Sequence, residues 1–502
     1  MGLPLCWGSA EGGLSAIAAM SPHGAEIHAA ASANAGASSE IRTKFDLPFM
    51  PPNPAAKYPS GKTARRRDLV TAELTETGVR LTLPEMPGPV RRQILGSDPA
   101  VTEPLFAGLK VIDCASYVAA PAAATVLADF GADVIKIEPP GEGDPWRTQY
   151  KRPGMPHSEH NHPWLMDNRN KKSLALDLKS TTGKAALDRL VSQADVFITN
   201  MPLPGRERLR IRYADFAENC PRLIYASLTA YGEVGDEAGK TGFDATAYWA
   251  RSGLMDEVRP DHHAIPARSV PAMGDRPTAI ALYAAIITAL YQRERTGRGG
   301  EVRASLMASG MWANGYLIQA ELCGVPFPPR PPREESISAL TNIYRTLDDR
   351  WFMMAAINER QWPALANAIG MPSLTTDPRF VDVGARRVHA VILTQILDAM
   401  FARKMLAEWR VILDAAGVTF GAVGTAAEIA TDPQALAAGF LRPLADTGMM
   451  TVDSPFTLSS AEKVPVALAP GYGEHSRAIL QESGYSDREI ADLEASGTIA
   501  SA

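Results

Sequence analysis

Cysteine is scarce in this chain of 502 residues, which contains only Cys6, Cys114, Cys220 and Cys323. The four lie far apart and form no CxxC pair, so the disulfide framework of a secreted scaffold is not expected. Reduced thiols in a cytoplasmic protein fit this pattern better. We therefore expect a cytoplasmic location.

Long apolar runs and an excess of basic residues are also lacking. No run of about 18 apolar residues occurs, so no membrane-spanning helix is expected. The net charge is −6, which gives no reason to expect nucleic acid or an anionic membrane as a partner. Any anionic ligand must be bound by local basic groups. With 46% hydrophobic residues, the chain can bury sizeable cores and should hold more than one domain.

Residues 1–105 are treated as an N-terminal extension of unknown role. The first twenty residues lack the basic region and the sustained apolar core of a secretory signal, so export is not expected. Further on, segments in which apolar and polar residues alternate, such as VRLTL, allow a short β-strand. An arm packed on the rest of the protein and a flexible leader remain equal alternatives.

From residue 106 onward, short apolar strands alternate with helical patterns. The first segment reads as a strand (Leu109 to Asp113), a small-residue turn, a helix, a second strand (Val134 to Glu138) and a Gly/Pro loop. Three further strands follow, in the segments NRNKKSLALDLKS, ADVFITN and PRLIYASLTAYGEVG. Strands that alternate with helices predict βαβ units and a parallel sheet, and hence an α/β fold.

A carboxylate, Asp275, lies where a glycine turn becomes a long amphipathic helix in AMGDRPTAIALYAAIITALYQRER. Apolar residues recur there at three- and four-residue steps until Gly297. Gly274 allows another group to approach the backbone closely, and Pro277 suits a first turn. The helix dipole favours a carboxylate at this end. Simple helix capping by Asp275 is the alternative.

These segments, together with RTGRGGEVRASLMASGMW, resemble the family III CoA-transferases. That group includes formyl-CoA and carnitine CoA-transferases and the related 2-methylacyl-CoA racemases. The resemblance covers roughly residues 106 to 495 and extends over later motifs such as NIYRTLDDRWFMMAA and YGEHSRAILQESGYSDREIADL. The run GFDATAYWARSGLM is similar to the branch that acts on 2-hydroxyacyl and aryl-acyl acids.

The strand and helix pattern, together with the resemblance, predicts two domains and a C-terminal segment. A large CoA-binding catalytic domain with a Rossmann-like parallel sheet should span residues 106–320. A smaller α+β domain is expected at 335–425, after the turn-rich PFPPRPPREES linker. Residues 426–502 should return to the large domain. The resemblance also implies a homodimer whose two chains interlock.

The resemblance implies transfer of CoA from an acyl-CoA to a free carboxylic acid, with Asp275 as the nucleophile. Because no ATP is used, the energy of the thioester must be retained in a covalent intermediate, which a carboxylate can form. Backbone N–H groups at the glycine turn can stabilise the oxyanions. CoA and acyl-CoA are substrates, and neither a permanently bound cofactor nor a metal is expected.

The resemblance also assigns the CoA contacts. Arg208 can form paired hydrogen bonds to phosphate or stack on adenine, and Lys179 would act as a point charge. The full set is Val118, Ala119, Leu176, Lys179, Asn200, Met201, Arg208 and Leu209. The chain departs from its relatives at Thr199-Asn200-Met201, where Glu-Asn-Phe is frequent. It also has Pro139 where some carry an arginine, and Arg147 is a candidate for supplying that charge.

Within the family, racemization is the alternative to transfer. Racemases carry a histidine after the glycine of a GHD-like triplet, and this chain has Gly242-Phe243-Asp244. A phenyl ring cannot take a proton, so transfer is favoured. Tyr248 and Trp249 could line an acyl pocket, although a role in the core is favoured for both.

Other classes of function are weaker alternatives. Gly235 to Thr241 looks like a phosphate loop, but three residues separate its glycines where four are needed. The GEGDP turn lacks the GxGxxG pattern of a dehydrogenase. His157, His160 and His162 could bind a metal, although a polar loop is favoured. A non-catalytic CoA-binding protein remains an alternative.

Overall fold

A computed structural model describes residues 71–75, 78–82, 103–156 and 158–501. In the first of two compact units, which ends at Thr102, β1 (Thr71–Thr75) pairs antiparallel with β2 (Gly78–Thr82). β2 covers most of the VRLTL segment in which the sequence allows a strand. The rest of the fold concerns the second unit, which begins at Glu103.

A seven-stranded sheet forms the centre of this unit, in the order β14-β5-β4-β3-β6-β7-β8. β3 to β8 are parallel, and β14 runs antiparallel to β5 at one edge. This confirms the predicted α/β fold with a parallel sheet. The strands are β3 (Lys110–Asp113), β4 (Asp133–Glu138), β5 (Lys172–Leu176), β6 (Val196–Thr199), β7 (Ile224–Thr229), β8 (Gly300–Ser305) and β14 (Ile499–Ala500).

Helices cover both faces of the sheet, which explains why its inner strands carry buried apolar residues on both faces. Alternate side chains of one strand enter different cores: Val111 joins the core under Ala119–Asp129 and Asp275–Thr296, and Ile112 joins the core under Thr181–Val191. Further helices are His162–Asn168, Leu203–Leu209, Tyr213–Phe216, Leu254–Glu257, Leu306–Ala313 and Gly315–Leu322. In the described residues no helix is both long and apolar enough to cross a membrane.

The strand order creates a switch point between β3 and β6. From β3 the chain builds outward through β4 and β5, and then returns to place β6, β7 and β8 on the other side. Connections therefore leave β3 and β6 in opposite directions at their carboxyl ends. In open α/β sheets the resulting crevice is the usual ligand-binding position.

A second, three-stranded antiparallel sheet follows the linker. It consists of β9 (Thr341–Arg345), β10 (Trp351–Ala355) and β11 (Phe420–Ala422), in the order β11-β10-β9. β9 and β10 lie in the NIYRTL and RWFMMAA segments. Their alternate residues are buried in a separate apolar core against helices Gln361–Ala368, Ala390–Phe401 and Leu406–Ala415. The mostly exposed helix Val383–Val388 precedes Ala390–Phe401.

The last part of the chain lies against the large sheet. β12 (Leu441–Pro443) and β13 (Met450–Val452) form a small ribbon, with the short helices Ala426–Ile429 and Pro433–Ala437 before it. Helices Ser476–Glu482 and Asp487–Ala495 bury apolar residues in the core beneath β5. β14 then completes the edge of the sheet by pairing with β5.

Candidate active site

The turn after β3 is bound to the end of β6 at the switch point. The Asn200 side chain accepts a hydrogen bond from Ser116 N at 2.9 Å and donates one to Ser116 O at 2.7 Å. The turn continues through Tyr117, whose φ is 63°, into the helix that begins at Ala119. Asn200 and Val118, two residues with predicted CoA contacts, are thus brought to the same crevice.

Of the other predicted CoA residues, Ala119 begins the helix after β3, Leu176 ends β5, and the rest follow β5 and β6 at the same edge of the sheet. Lys179 and Arg208 are exposed, and neither side chain forms an ion pair within the described residues. Both can therefore meet an anionic ligand. The remaining side chains lie deeper: Val118, Ala119 and Leu176 are buried, and Met201 and Leu209 are partly buried against the core. Buried side chains leave mainly backbone groups for contact with a ligand.

Asp275 is the first residue of the helix Asp275–Thr296, which ends at Gly297 in a left-handed conformation, as the sequence predicts. The preceding Gly274 donates its N–H to Asp244 Oδ2 at 3.4 Å. A Cβ atom at Gly274 would lie 2.4 Å from Cγ of Tyr248. The helix entrance therefore requires glycine because Tyr248 packs directly on its backbone.

The Asp275 carboxylate lies in an acidic and half-buried environment. Burial, followed by repulsion from Asp244 and Asp167, raises its pKa from 3.8 to about 7, and Arg276 opposes the shift. Like Arg276, the helix dipole favours the charged form and so opposes the rise in pKa, but only by about 0.3–1 kcal/mol. Desolvation and two like charges outweigh that effect. Asp275 is thus poised between its two protonation states near neutral pH.

A buried carboxylate, Asp167, fixes the first turn of this helix. Its Oδ1 lies 2.7 Å from Nη1 of Arg276, and its Oδ2 accepts a hydrogen bond from Trp146 Nε1 at 3.0 Å. Burial raises the pKa of Asp167, and Arg276 opposes the rise. This pair could not be predicted from the sequence, because its two residues are 109 positions apart and no local spacing connects them.

Paired charges also lie beneath the turn after β3. Lys136 Nζ is 2.8 Å from Asp144 Oδ2 and 3.8 Å from Asp113 Oδ1, and Lys171 Nζ is 2.9 Å from Asp113 Oδ2. Asp144 Oδ1 in turn accepts a hydrogen bond from Tyr117 N at 3.1 Å. Burial lowers the pKa of Lys171 to about 8, although Asp113 opposes this. The network holds the backbone of the turn.

Arg147 is the candidate to supply the positive charge that some relatives carry as an arginine at the position of Pro139. Its Nε and Nη2 atoms lie 2.6 and 2.7 Å from the two oxygens of Glu138, and its guanidinium lies 3.8 Å from the ring centroid of Trp164. The Arg147 guanidinium is thus already engaged by the bidentate pair with Glu138 and by the ring of Trp164. Replacement of the missing arginine by Arg147 stays a prediction, and it would require breaking the pair with Glu138.

The segment Asp244–Ala250 forms a π-helix, a conformation that is frequent at functional sites. Tyr248 and Trp249 are both buried within it, and Trp249 Nε1 donates to Ala267 O at 2.5 Å. Both aromatic residues therefore lie in the core. Phe243, just before this segment, is exposed instead and packs edge-on against Tyr117.

The segment that looks like a phosphate loop and the histidine-rich segment were the features that suggested other functions. Lys240, in the segment that looks like a phosphate loop, pairs with Glu237 at 2.8 Å. Among the residues that the structure describes, no three His, Cys, Asp or Glu side chains are placed to hold a metal ion. His157 lies outside the described residues.

The fold and the site together define an α/β protein with a ligand crevice at a switch point and a carboxylate at a helix N-terminus beside acidic neighbours. A model of CoA-transferase family III matches residues 106–476. The chain belongs to this family, and it is a CoA-transferase.

Two curated relatives and one solved structure illustrate the similarity. The (R)-2-hydroxy-4-methylpentanoate CoA-transferase of Clostridioides difficile is 31% identical over 79% of this chain and 99% of its own. The cinnamoyl-CoA:phenyllactate CoA-transferase of Clostridium sporogenes is 32% identical over 78% and 96%. A CAIB/BAIF family protein from Brucella suis has a TM-score of 0.68 at 28% identity, over 76% of this chain and 100% of its own.

Proposed function

We propose that this enzyme transfers CoA from an acyl-CoA to a free carboxylic acid through covalent intermediates on Asp275. The carboxylate attacks the thioester carbonyl, CoA thiolate leaves, and a mixed anhydride forms. The thiolate then attacks the aspartyl carbonyl, releases the donor acid and leaves an aspartyl-CoA thioester. The acceptor carboxylate reverses both steps and regenerates Asp275.

The observation that carries this proposal is the state of the Asp275 carboxylate. It is half-buried at a helix N-terminus, and it has no ion-pair partner among the described residues. A carboxylate kept for capping or structural pairing would instead be held by hydrogen bonds. Poor solvation also makes the ionised form more reactive toward a thioester, because less water must be displaced before attack.

The proposal includes the binding of CoA and the assembly of the enzyme. Arg208 and Lys179 would bind its phosphates, and Asn200 would hold the turn along which the nucleotide lies. A homodimer is supported by an exposed apolar surface on the helices before the linker, where Trp312 is 89% exposed and Tyr316 and Leu322 are also exposed. A cytoplasmic location completes the proposal.

The test is to incubate the enzyme with an acyl-CoA donor and no acceptor. Mass spectrometry should then find an acyl or CoA adduct on the peptide that contains Asp275, and hydroxylamine should intercept it. Asp275→Asn should lose CoA exchange by several orders of magnitude. Asp382→Asn is the matched control, because Asp382 caps a helix through Ala385 N and should tolerate the change. Full exchange by Asp275→Asn would contradict the proposal.

Racemization is distinguished by its proton transfer at the α-carbon. With Phe243 in place of a histidine, we expect no appreciable deuterium uptake from deuterated water into a 2-methylacyl-CoA. Rapid uptake with inversion would show that another base of this site acts on the α-proton.

A further inference from the structure

Two aromatic rings meet at the mouth of the crevice. The ring centroids of Tyr117 and Phe243 are 5.6 Å apart, with an angle of 82° between the ring planes. This edge-to-face geometry is a favourable one. Phe243 is nevertheless 58% exposed, so most of its apolar surface is left uncovered by the fold. The uncovered area is available to a ligand.

The pair spans the two functional segments of the site. Tyr117 belongs to the turn that Asn200 and Asp144 hold at the switch point. Phe243 directly precedes Asp244, whose carboxylate accepts the hydrogen bond from Gly274 N. The two rings therefore connect the turn with predicted CoA contacts to the backbone that positions Asp275. Asp244 also acts on the charge of Asp275, so a substituent on the carbonyl that Asp275 attacks lies in the neighbourhood of these rings.

The charges around Asp275 disfavour a second anionic group there. Asp244 and Asp167 both act on Asp275 with the same sign. Among the described residues, the cation that acts on Asp275 is Arg276, and its guanidinium is bound to Asp167. A substrate with a second carboxylate would be repelled without a cation to neutralise it, whereas an apolar group meets no such penalty.

We propose that Tyr117 and Phe243 are specificity-determining residues that bind the side chain of the substrate acid. They select monocarboxylic acids with a bulky apolar group, aryl or branched alkyl, against dicarboxylic acids. This inference rests on the proposed function, because it assumes that the acid reacts at Asp275. It adds the substrate class and the side chains that recognise it.

The experiment compares three acceptors with acetyl-CoA as the donor: 3-phenylpropanoate, succinate and carbon-13-labelled acetate, whose label lets its exchange into acetyl-CoA be followed by mass. The wild-type enzyme should prefer 3-phenylpropanoate to succinate in kcat/KM. Phe243→Ala should lower kcat/KM for 3-phenylpropanoate by about 10- to 100-fold, the range for losing apolar contacts, and change the value for acetate less than about threefold. Phe243→Leu keeps part of the apolar surface and should fall between.

Matched variants separate recognition from structure. Phe440 is 61% exposed, so Phe440→Ala removes a similarly exposed ring and should leave all three values unchanged. At Tyr117 the φ of 63° is tolerated by asparagine, so Tyr117→Asn should lose the preference without added strain, whereas Tyr117→Phe should keep it. The aromatic ring is thereby tested apart from the backbone.

The outcomes distinguish this inference from the mechanism. Equal losses for 3-phenylpropanoate and acetate would show that the rings are structural, and a wild-type preference for succinate would overturn the proposed selectivity. Neither result bears on the expected adduct at Asp275, because that adduct forms from acetyl-CoA without any acceptor. Absence of that adduct together with full activity of Asp275→Asn would instead overturn the mechanism. Absence of exchange with every acid would overturn both.

Discussion

Arg276 Nη1 and Asp167 Oδ1 lie 2.7 Å apart, and this contact joins the first turn of the Asp275 helix to the end of another helix, His162–Asn168. Arg276 is the residue next to the proposed nucleophile, so the pair restrains the backbone on which that carboxylate is carried. Because Asp167 is buried, the loss of either partner leaves the other without its counter-charge.

We expect Asp167→Asn to lower kcat by about 10- to 100-fold, because a displacement of about 1 Å at a nucleophile has an effect of that order. KM for the donor should change little, since the proposed CoA contacts lie elsewhere. Removal of the Asp167 charge should also move the midpoint of the pH–rate profile to lower pH, because Asp167 helps to raise the pKa of Asp275.

A matched control lies at the other end of the same helix. Arg293 Nη1 and Asp195 Oδ1 form a pair at 2.9 Å, far from Asp275. Asp195→Asn should alter stability at most, and leave the midpoint of the pH–rate profile where it is in the wild-type enzyme. A shift of equal size in both variants would argue against a specific role for Asp167.

The pH dependence of adduct formation provides a second prediction. The nucleophile must be ionised, and the pKa of Asp275 is raised to about 7. The single-turnover rate of adduct formation should therefore rise with pH through a midpoint near 7. A midpoint near 4 would indicate that burial and the two neighbouring carboxylates do not act on the reacting group.

The same shift predicts an effect on stability, with a definite sign. Since the pKa of Asp275 is higher in the folded than in the unfolded protein, its contribution is fully present below about pH 4 and is lost as the pH rises to about 7. Asp275→Asn should accordingly be more stable than wild type at pH 8, by about 1–2 kcal/mol after allowance for partial exposure. Urea unfolding at pH 5 and pH 8 should show the difference growing with pH.

Features that depend on local pattern could be predicted from the sequence. The apolar runs around Val111 and Val134 are strands of a parallel sheet, and the Asp275 helix begins and ends at the glycine turns that bound it. β14 could not be predicted, because two residues are too few for a periodic signal and its pairing partner is more than 300 positions away.

The side-chain contacts around Asp275 could not be predicted from the sequence to the same extent. The Gly242-Phe243-Asp244 triplet indicates that the histidine of the racemases is missing. It does not indicate that Asp244 accepts a hydrogen bond from Gly274 N. The Arg276–Asp167 pair depends on how two helices pack, and pattern analysis carries no such information. Burial of Leu176 and Val118 likewise follows from the tertiary fold. Side-chain partners across the fold are set by packing, which periodicity does not encode.

The fourth prediction concerns Gly274. Gly274→Ala would place a methyl group 2.4 Å from Cγ of buried Tyr248, so the ring or the helix entrance must move. We expect a loss of about 1–3 kcal/mol in stability, typical of overpacking, and a larger proportional loss of kcat. Gly315→Ala is the control, because that glycine also begins a helix and has open space around its Cβ position. Equal melting temperatures for the two variants would contradict the close approach of Tyr248.

The last prediction concerns Arg208, an exposed side chain without an ion pair among the described residues. If it binds a phosphate of CoA, Arg208→Ala removes a charge-assisted hydrogen bond of about 1.5–3 kcal/mol. KM for the acyl-CoA donor should then rise by about 10- to 100-fold, while kcat stays close to that of the wild type. Arg208→Lys should recover only part of the affinity, because lysine keeps the charge but not the planar pair of donors.

Arg345→Ala serves as the control for Arg208, since Arg345 is similarly exposed, lies on β9 of the three-stranded sheet and, within the part of the chain that the structure describes, pairs only with Asp349. Its donor KM should not change. The Arg208 effect should also shrink as ionic strength rises, because an exposed charge is screened by salt. A normal KM with a collapsed kcat in Arg208→Ala would place this arginine in the chemical step and remove it from the CoA site.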